Sequence, residues 1–212
     1  MTGRRATVLV ATRNPGKLRE LQPMFAAAGY TALDLGAAGV VHTAAEDTLE
    51  EFATFEENAL AKARYFHAVS GGLPTVADDS GLVVDALDGA PGVRSRRWCG
   101  RTELTGHLLD QANNEKLVAM LAGQPSRAAR FVCAAAFVDD GREVVRRGET
   151  AGVILDAPAG AEGFGYDPYF WSEDLQRSFG EAPAADKARV SHRARAIAAL
   201  LLALRSDQPD HR

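Results

Sequence analysis

Two hydrophobic periods alternate along this chain. Residues 6–10, ATVLV, form a short β-branched run that predicts a buried strand. After it, Leu18, Leu21, Phe25 and Ala28 recur at helical spacing, with Asn14 as N-cap, Pro15 at the first helical position and Gly29 as the stop. In LEEFATFEENALAKARYF, Thr54 and Glu57 form a capping box and Phe55, Ala59, Ala63 and Phe66 share one face, so a helix is predicted over 55–69. GGLPTVADDSGLVVDAL predicts a turn, a short strand ending near Ala77, an acidic turn and a second short strand. GAPGVRSRRWCG has no period and is expected to be a loop, and residues 105–122 a helix. RFVCAAAFVDDGREVVRRGETAGVI reads as a β-hairpin turning at Asp140–Gly141. AGAEGFGYDPYF is a Gly-rich loop with four aromatics, and SHRARAIAALLLALR a closing helix capped by Ser191. Strand–helix alternation followed by a hairpin predicts an α/β fold with a mixed sheet. No repeat or linker divides it, so residues 1–206 are expected to form one domain and the polar residues 207–212 a frayed tail.

Composition narrows the function. A net charge of −4 over 212 residues argues against a nucleic-acid-coating protein, so any phosphate site must be local. Cys99 and Cys133 have no metal or redox spacing and read as reduced thiols of a cytoplasmic protein. The apolar run after Arg4 and Arg5 is too short for a signal peptide. The longest uncharged apolar runs, 131–138 and 197–204, fall far short of the ~20 residues that span a bilayer, so no membrane partner is expected.

Several segments carry candidate chemistry, each with a structural alternative. Arg13 and Lys17 flank a helix N-terminus that favours acidic residues, and a phosphate held by free N–H groups, dipole and both cations would relieve the conflict; a solvated surface junction is the alternative. Asp78 and Asp79 in ADDSGL suit Mg²⁺, which takes one or two carboxylates and completes its shell with water and phosphate; Asp–Ser–Gly is also ordinary turn chemistry. EDTLEEFATFEEN holds six carboxylates, most of them necessarily solvated. The glycines around Phe164 leave room for a flat ligand, and Asp167 before Pro168 can accept hydrogen bonds; a packed aromatic turn is the alternative. Lys187, with His192 and Arg193 in the first turn of the closing helix, is either a ligand site or a surface basic cluster. Together they point to a metal-dependent nucleotide enzyme.

TRNPGKLRE, TFEENALAKA, ADDSGLVVDALDGAPGVRS, GFGYDPYF and SHR, in this order over residues 12–193, resemble the inosine/xanthosine triphosphate pyrophosphatases, the Ham1-like non-standard purine nucleotide hydrolases. The resemblance implies a long mixed sheet flanked by helices, two lobes with a cleft between them, a homodimer, and Mg²⁺-dependent hydrolysis of ITP, dITP and XTP to the monophosphate and pyrophosphate. It implies a triphosphate loop of Thr12, Arg13, Asn14, Pro15, Gly16 and Lys17, with Lys62 also facing the phosphates. Asp79 would be general base and metal ligand, supported by Asp78, and Ser80 would touch the substrate. Phe164, Gly165, Tyr166, Asp167, Lys187, His192 and Arg193 would form the base-recognition side. The family's metal-ligating Glu falls at Glu50, but Phe52 stands where the family has Gly, which leaves Glu46, Asp47 and Glu51 as alternatives. Base selection is expected from donors that donate to the C6 carbonyl in a pocket that offers guanine's C2 amino group no acceptor, with Asp167 directed elsewhere, to a backbone N–H. A pyrophosphatase for modified pyrimidine nucleotides and a nucleotide-binding regulator without turnover are the competing readings.

Overall fold

The structure is a computed structural model and describes residues 6–206; the expected tail at 207–212 lies outside the described residues. The elements in chain order are β1 (Thr7–Val10), α1 (Pro15–Ala27), β2 (Thr31–Asp34), α2 (Phe55–Val69), β3 (Thr75–Val84), α3 (Gly106–Met120), β4 (Ala128–Asp139), β5 (Arg142–Ile154), β6 (Phe170–Ser172), β7 (Arg177–Ser178), α4 (Ala184–Val190) and α5 (His192–Ser206). The strands form a seven-stranded sheet in the order β2-β1-β3-β4-β5-β6-β7. β1 pairs in parallel with β2 and β3, whereas β6 pairs antiparallel with β5 and β7, so the sheet is mixed as expected.

The described chain folds as two compact units, each assembled from separate segments. The first holds residues 6–79, 134–148 and 196–206. Within it β1 lies between β2 and β3, so the chain returns on one side of β1 and then on the other. The loop leaving β1 therefore sits at a switch in strand order, where parallel sheets offer ligand sites beyond the strand ends. The pairing of Val10 with Val76 carries Asp78 and Asp79 just past the end of β1. Val8–Val10, Leu21, Phe25, Ala59, Ala63, Phe66, Val76 and Ala134–Phe137 supply its buried core.

The second unit holds residues 80–133 and 149–195. Leu82, Val84, Leu117, Leu121, Phe131, Ile154, Phe170 and Phe179 cluster in its core, with the Phe131 ring 4.5 Å from that of Phe170. β4 is buried along nearly its whole length and reads as one apolar run, whereas β5 alternates between buried and exposed positions.

Three local expectations are corrected. ADDSGL is no turn: β3 runs unbroken from Thr75 to Val84 through both aspartates. Turn-forming residues were outweighed because each carboxylate finds cationic or amide partners within the first unit, so it can be buried without breaking the strand. GAPGVRSRRWCG is partly ordered as a 3₁₀ turn over Gly92–Arg97. The first-turn N–H groups of α1 are not free either. Pro15 has none, Asn14 Oδ1 accepts those of Gly16 and Lys17 at 2.8 and 3.3 Å, and the Asn14 carbonyl takes that of Leu18. β2, β6, β7 and α4 were not anticipated: the strands are two to four residues long and α4 seven, too short to show a period.

Candidate active site

In the first unit, two helices aim lysines at β3. Lys17, in the first turn of α1, places Nζ 3.1 Å from the Asp78 carboxylate and 3.4 Å from the Asp78 carbonyl. Lys62 of α2 also donates to the Asp78 carbonyl, and its Nζ lies 2.6 Å from Glu50 and 3.8 Å from Asp79. Two ammonium groups thus meet at one peptide carbonyl, flanked by three carboxylates. Burial would lower the pKa of Lys62, but Glu50, Asp79 and Asp78 outweigh it and hold the ammonium above its ordinary value. The Asp79 carboxyl is pushed up, first by burial and then by Glu50, against the opposing pull of Lys62, Lys17 and the Asn58 amide.

Asn58, one turn before Lys62 on α2, was missed as a site residue. It is 0% exposed; its Nδ2 donates to Asp79 Oδ2 at 3.0 Å, and its amide bonds both the N–H and the C=O of Phe52. The signal lay in the four-residue spacing of Asn58 and Lys62, which puts both on one helix face. A side chain is permitted at position 52: the backbone there is held by Asn58, its φ is not positive, and Phe52 is 47% exposed. Among the acidic candidates, Glu50 reaches Lys62, while Glu46 is held by Arg13 in a two-pronged ion pair at 2.8 and 3.0 Å. Arg13 also donates to the Val40 carbonyl, so its guanidinium is turned to the 40–46 segment. Thr12 Oγ1 accepts the N–H of Asn14 and shapes the loop.

In the second unit, α5 opens with His192 and Arg193. The Arg193 guanidinium, 2% exposed, donates to Ser80 Oγ at 2.8 Å and lies 5.8 Å from the centre of the Phe164 ring. His192 stacks on Phe131 at 4.7 Å. Lys187 belongs to α4, where its Nζ lies 2.6 Å from Asp167 and 5.1 Å from the centre of the Phe164 ring. Asp167 Oδ2 also accepts the Phe164 N–H at 2.8 Å. Gly163 permits this approach: a Cβ there would lie 2.1 Å from Asp167 Oδ2, and its φ is +80°. Tyr166 donates its hydroxyl to the Ser95 carbonyl, and burial drives its pKa far above the ordinary phenol range.

Glu50 and Asp79 are hard oxygen donors converging on one cation, and Asp79 is buried enough that a positive partner relieves it. That set fits a divalent hard cation completed by water and phosphate. Among the described residues no group of three or more His, Cys, Asp or Glu side chains forms a cage of its own, and no helix is long and apolar enough to cross a membrane.

The model of the Ham1 family matches residues 8–203. The chain belongs to this family. A curated relative from Frankia alni named dITP/XTP pyrophosphatase is 47% identical over 93% of this chain and 96% of its own length. One of the same name from Mycobacterium tuberculosis is 48% identical over 94% and 95%. Among solved structures, a HAM1 protein from Coxiella burnetii superposes with a TM-score of 0.79 at 32% identity, covering 95% of this chain and 99% of that one. A nucleoside-triphosphatase / dITP/XTP pyrophosphatase from Mycobacterium abscessus does so with 0.70 at 44% identity, covering 93% and 99%. Membership in the Ham1 family accords with the fold expected from the motifs.

Proposed function

We propose that this protein is a nucleoside triphosphate pyrophosphatase that hydrolyses dITP, XTP and ITP to the monophosphate and pyrophosphate, clearing them from the nucleotide pool. The observation that carries the chemistry is the buried Asp79 carboxylate held beside Lys62 and Asn58, on a strand where Lys17 also converges. Asp79 takes the proton of the attacking water as the oxygen–α-phosphorus bond forms and the bond to the bridging oxygen breaks. Lys17 and Lys62 neutralise the charge gathering on the departing pyrophosphate, with Thr12, Asn14, Pro15 and Gly16 shaping the loop and Arg13 bracing it. Glu50 and Asp79 would hold a divalent cation, Mg²⁺ in this reading. When bound, that ion supplies charge neutralisation at the phosphate oxygens.

On the base side, Phe164 offers a ring face, Lys187, His192 and Arg193 offer donors, Ser80 contacts the substrate, and Gly165 and Tyr166 keep the loop in shape. Asp167 Oδ2 is engaged by Lys187 and the Phe164 N–H, which in this reading directs the carboxylate to the loop and not to guanine's amino group. Nothing here favours a pyrimidine substrate or a regulator without turnover. The functional form in this reading is a cytoplasmic homodimer in which residues 1–206 act as one domain. A panel of dITP, XTP, ITP, ATP and GTP with product identification tests the function. Pyrophosphate from the first three, far faster than from the last two, is expected; orthophosphate release, or GTP turnover equal to XTP, overturns it.

A further inference from the structure

We propose that Asp110 and Asn114 of α3 are positioning residues for base selection, acting through the backbone that carries Phe164; this rests on the base-side reading above. Three consecutive peptide planes around Phe164 are each held by a side chain. The N–H of Phe164 goes to Asp167 Oδ2 at 2.8 Å, the N–H of Gly165 to Asp110 Oδ2 at 3.1 Å, and the C=O of Gly165 accepts from Asn114 Nδ2 at 2.9 Å. The φ and ψ of Phe164 are rotations between the first two planes, so two aspartates from different elements fix where its ring projects.

Asp110 and Asn114 are four residues apart and so lie on one face of α3. Asn114 is 6% exposed and among the described residues its Oδ1 has no hydrogen-bond partner, so the bond from its Nδ2 to the Gly165 carbonyl is what ties this buried amide to the loop. Gly165 has φ +64° and nothing within 4 Å of an added Cβ, so glycine serves backbone conformation there, not space. A further tie comes from GAPGVRS, whose Ser95 accepts the Tyr166 hydroxyl on its carbonyl while its Oγ accepts the Leu82 N–H. That segment, which no substrate role absorbs, thereby braces the next residue of the loop. A stacked base meets Phe164 in the ground and transition states alike, so loosening the loop acts on binding more than on the chemical step.

The test compares Asp110→Ala, Asn114→Ala and the conservative Asp110→Asn, which keeps an oxygen acceptor. KM and kcat for XTP and GTP are measured, with the inhibition constant of inorganic tripolyphosphate as a probe of the phosphate side and hydrogen exchange of the Gly165 amide as a probe of the loop. For both alanine variants, KM for XTP is expected to rise ~10-fold with kcat within about twofold. The XTP-over-GTP preference should fall, tripolyphosphate inhibition should hold, and the Gly165 amide should exchange faster, while Asp110→Asn stays near the parent. A freed Gly165 amide with unchanged KM and preference overturns the proposal, as does a joint shift of KM, kcat and tripolyphosphate inhibition. Should Asn114→Ala fail to fold, the Asp110 pair decides alone. A parent protein without preference for XTP over GTP overturns the base-side reading and this role with it. An intact preference that the variants leave unmoved overturns this role alone.

Discussion

Asp79 holds a proton more readily than an ordinary aspartate, because burial outweighs the lysines beside it. A carboxyl whose pKa is raised by folding favours the fold below its unfolded pKa, and that contribution is lost as pH rises through the folded value. Asp79→Asn cannot ionise, so without metal its urea midpoint should gain on the parent's as pH rises above about 4, the ordinary aspartate value; a constant difference counts against the shift. The same variant should lose about 10²–10⁴-fold in kcat while dITP binding, followed calorimetrically, stays close to the parent's. Lys17 acts on both sides of the ledger. Lys17→Ala should cut kcat and kcat/KM about 10²-fold, because its charge matters most as pyrophosphate departs. It should also lower stability by roughly 1–3 kcal/mol, since the Asp78 carboxylate is fully buried and loses a partner. An unaltered melting temperature would show that Asp78 does not depend on Lys17.

At the scale of elements, α2 is the clearest case of sequence dictating structure: its cap at Thr54, its span and its apolar face all follow from the spacing. Its functional half was only partly visible. Periodicity marks Asn58 and Lys62 as one face but cannot say that Asn58 ties the Phe52 backbone to Asp79, because that tie joins residues 21 apart in sequence. Asn58→Ala removes these bonds and should lower stability by about 2 kcal/mol, and kcat/KM with it, as the segment carrying Glu50 loosens; thermal melts and pyrophosphate release measure both. β3 shows the opposite limit. Asp–Asp–Ser–Gly has turn-forming residues, and the lysines of α1 and α2 with the Asn58 amide let its carboxylates be buried in a strand, a condition set by tertiary packing and absent from any local window. On the base side the aromatic loop and the SHR helix start were legible, but Asp110 and Asn114 were not, since polar residues on a half-exposed helix look like solvated ones.

For the whole molecule, the chain passes between the two units at 79/80, 133/134, 148/149 and 195/196, inside β3, β5 and α5 and within the apolar run of β4. Unfolding either unit alone would leave continuous strands half-formed, so one cooperative transition is expected. Both tryptophans, Trp98 and Trp171, lie in the second unit, so their fluorescence reports on it while far-UV circular dichroism reports on the whole. Urea curves from the two probes should coincide; separated midpoints would reveal independent units. The pleat of β3 carries a consequence for how such a chain can evolve. Neighbouring side chains on a strand point to opposite faces, and although both lysines feel both carboxylates, the nearest side-chain contacts differ: Asp78 meets Lys17, and Asp79 meets Asn58 and Lys62. Inserting one residue between Thr75 and Asp78 would leave every chemical group in place by inventory yet exchange the addresses of two identical carboxylates. A length change in β3 therefore acts like a frameshift in three dimensions, silent in composition and ruinous in meaning.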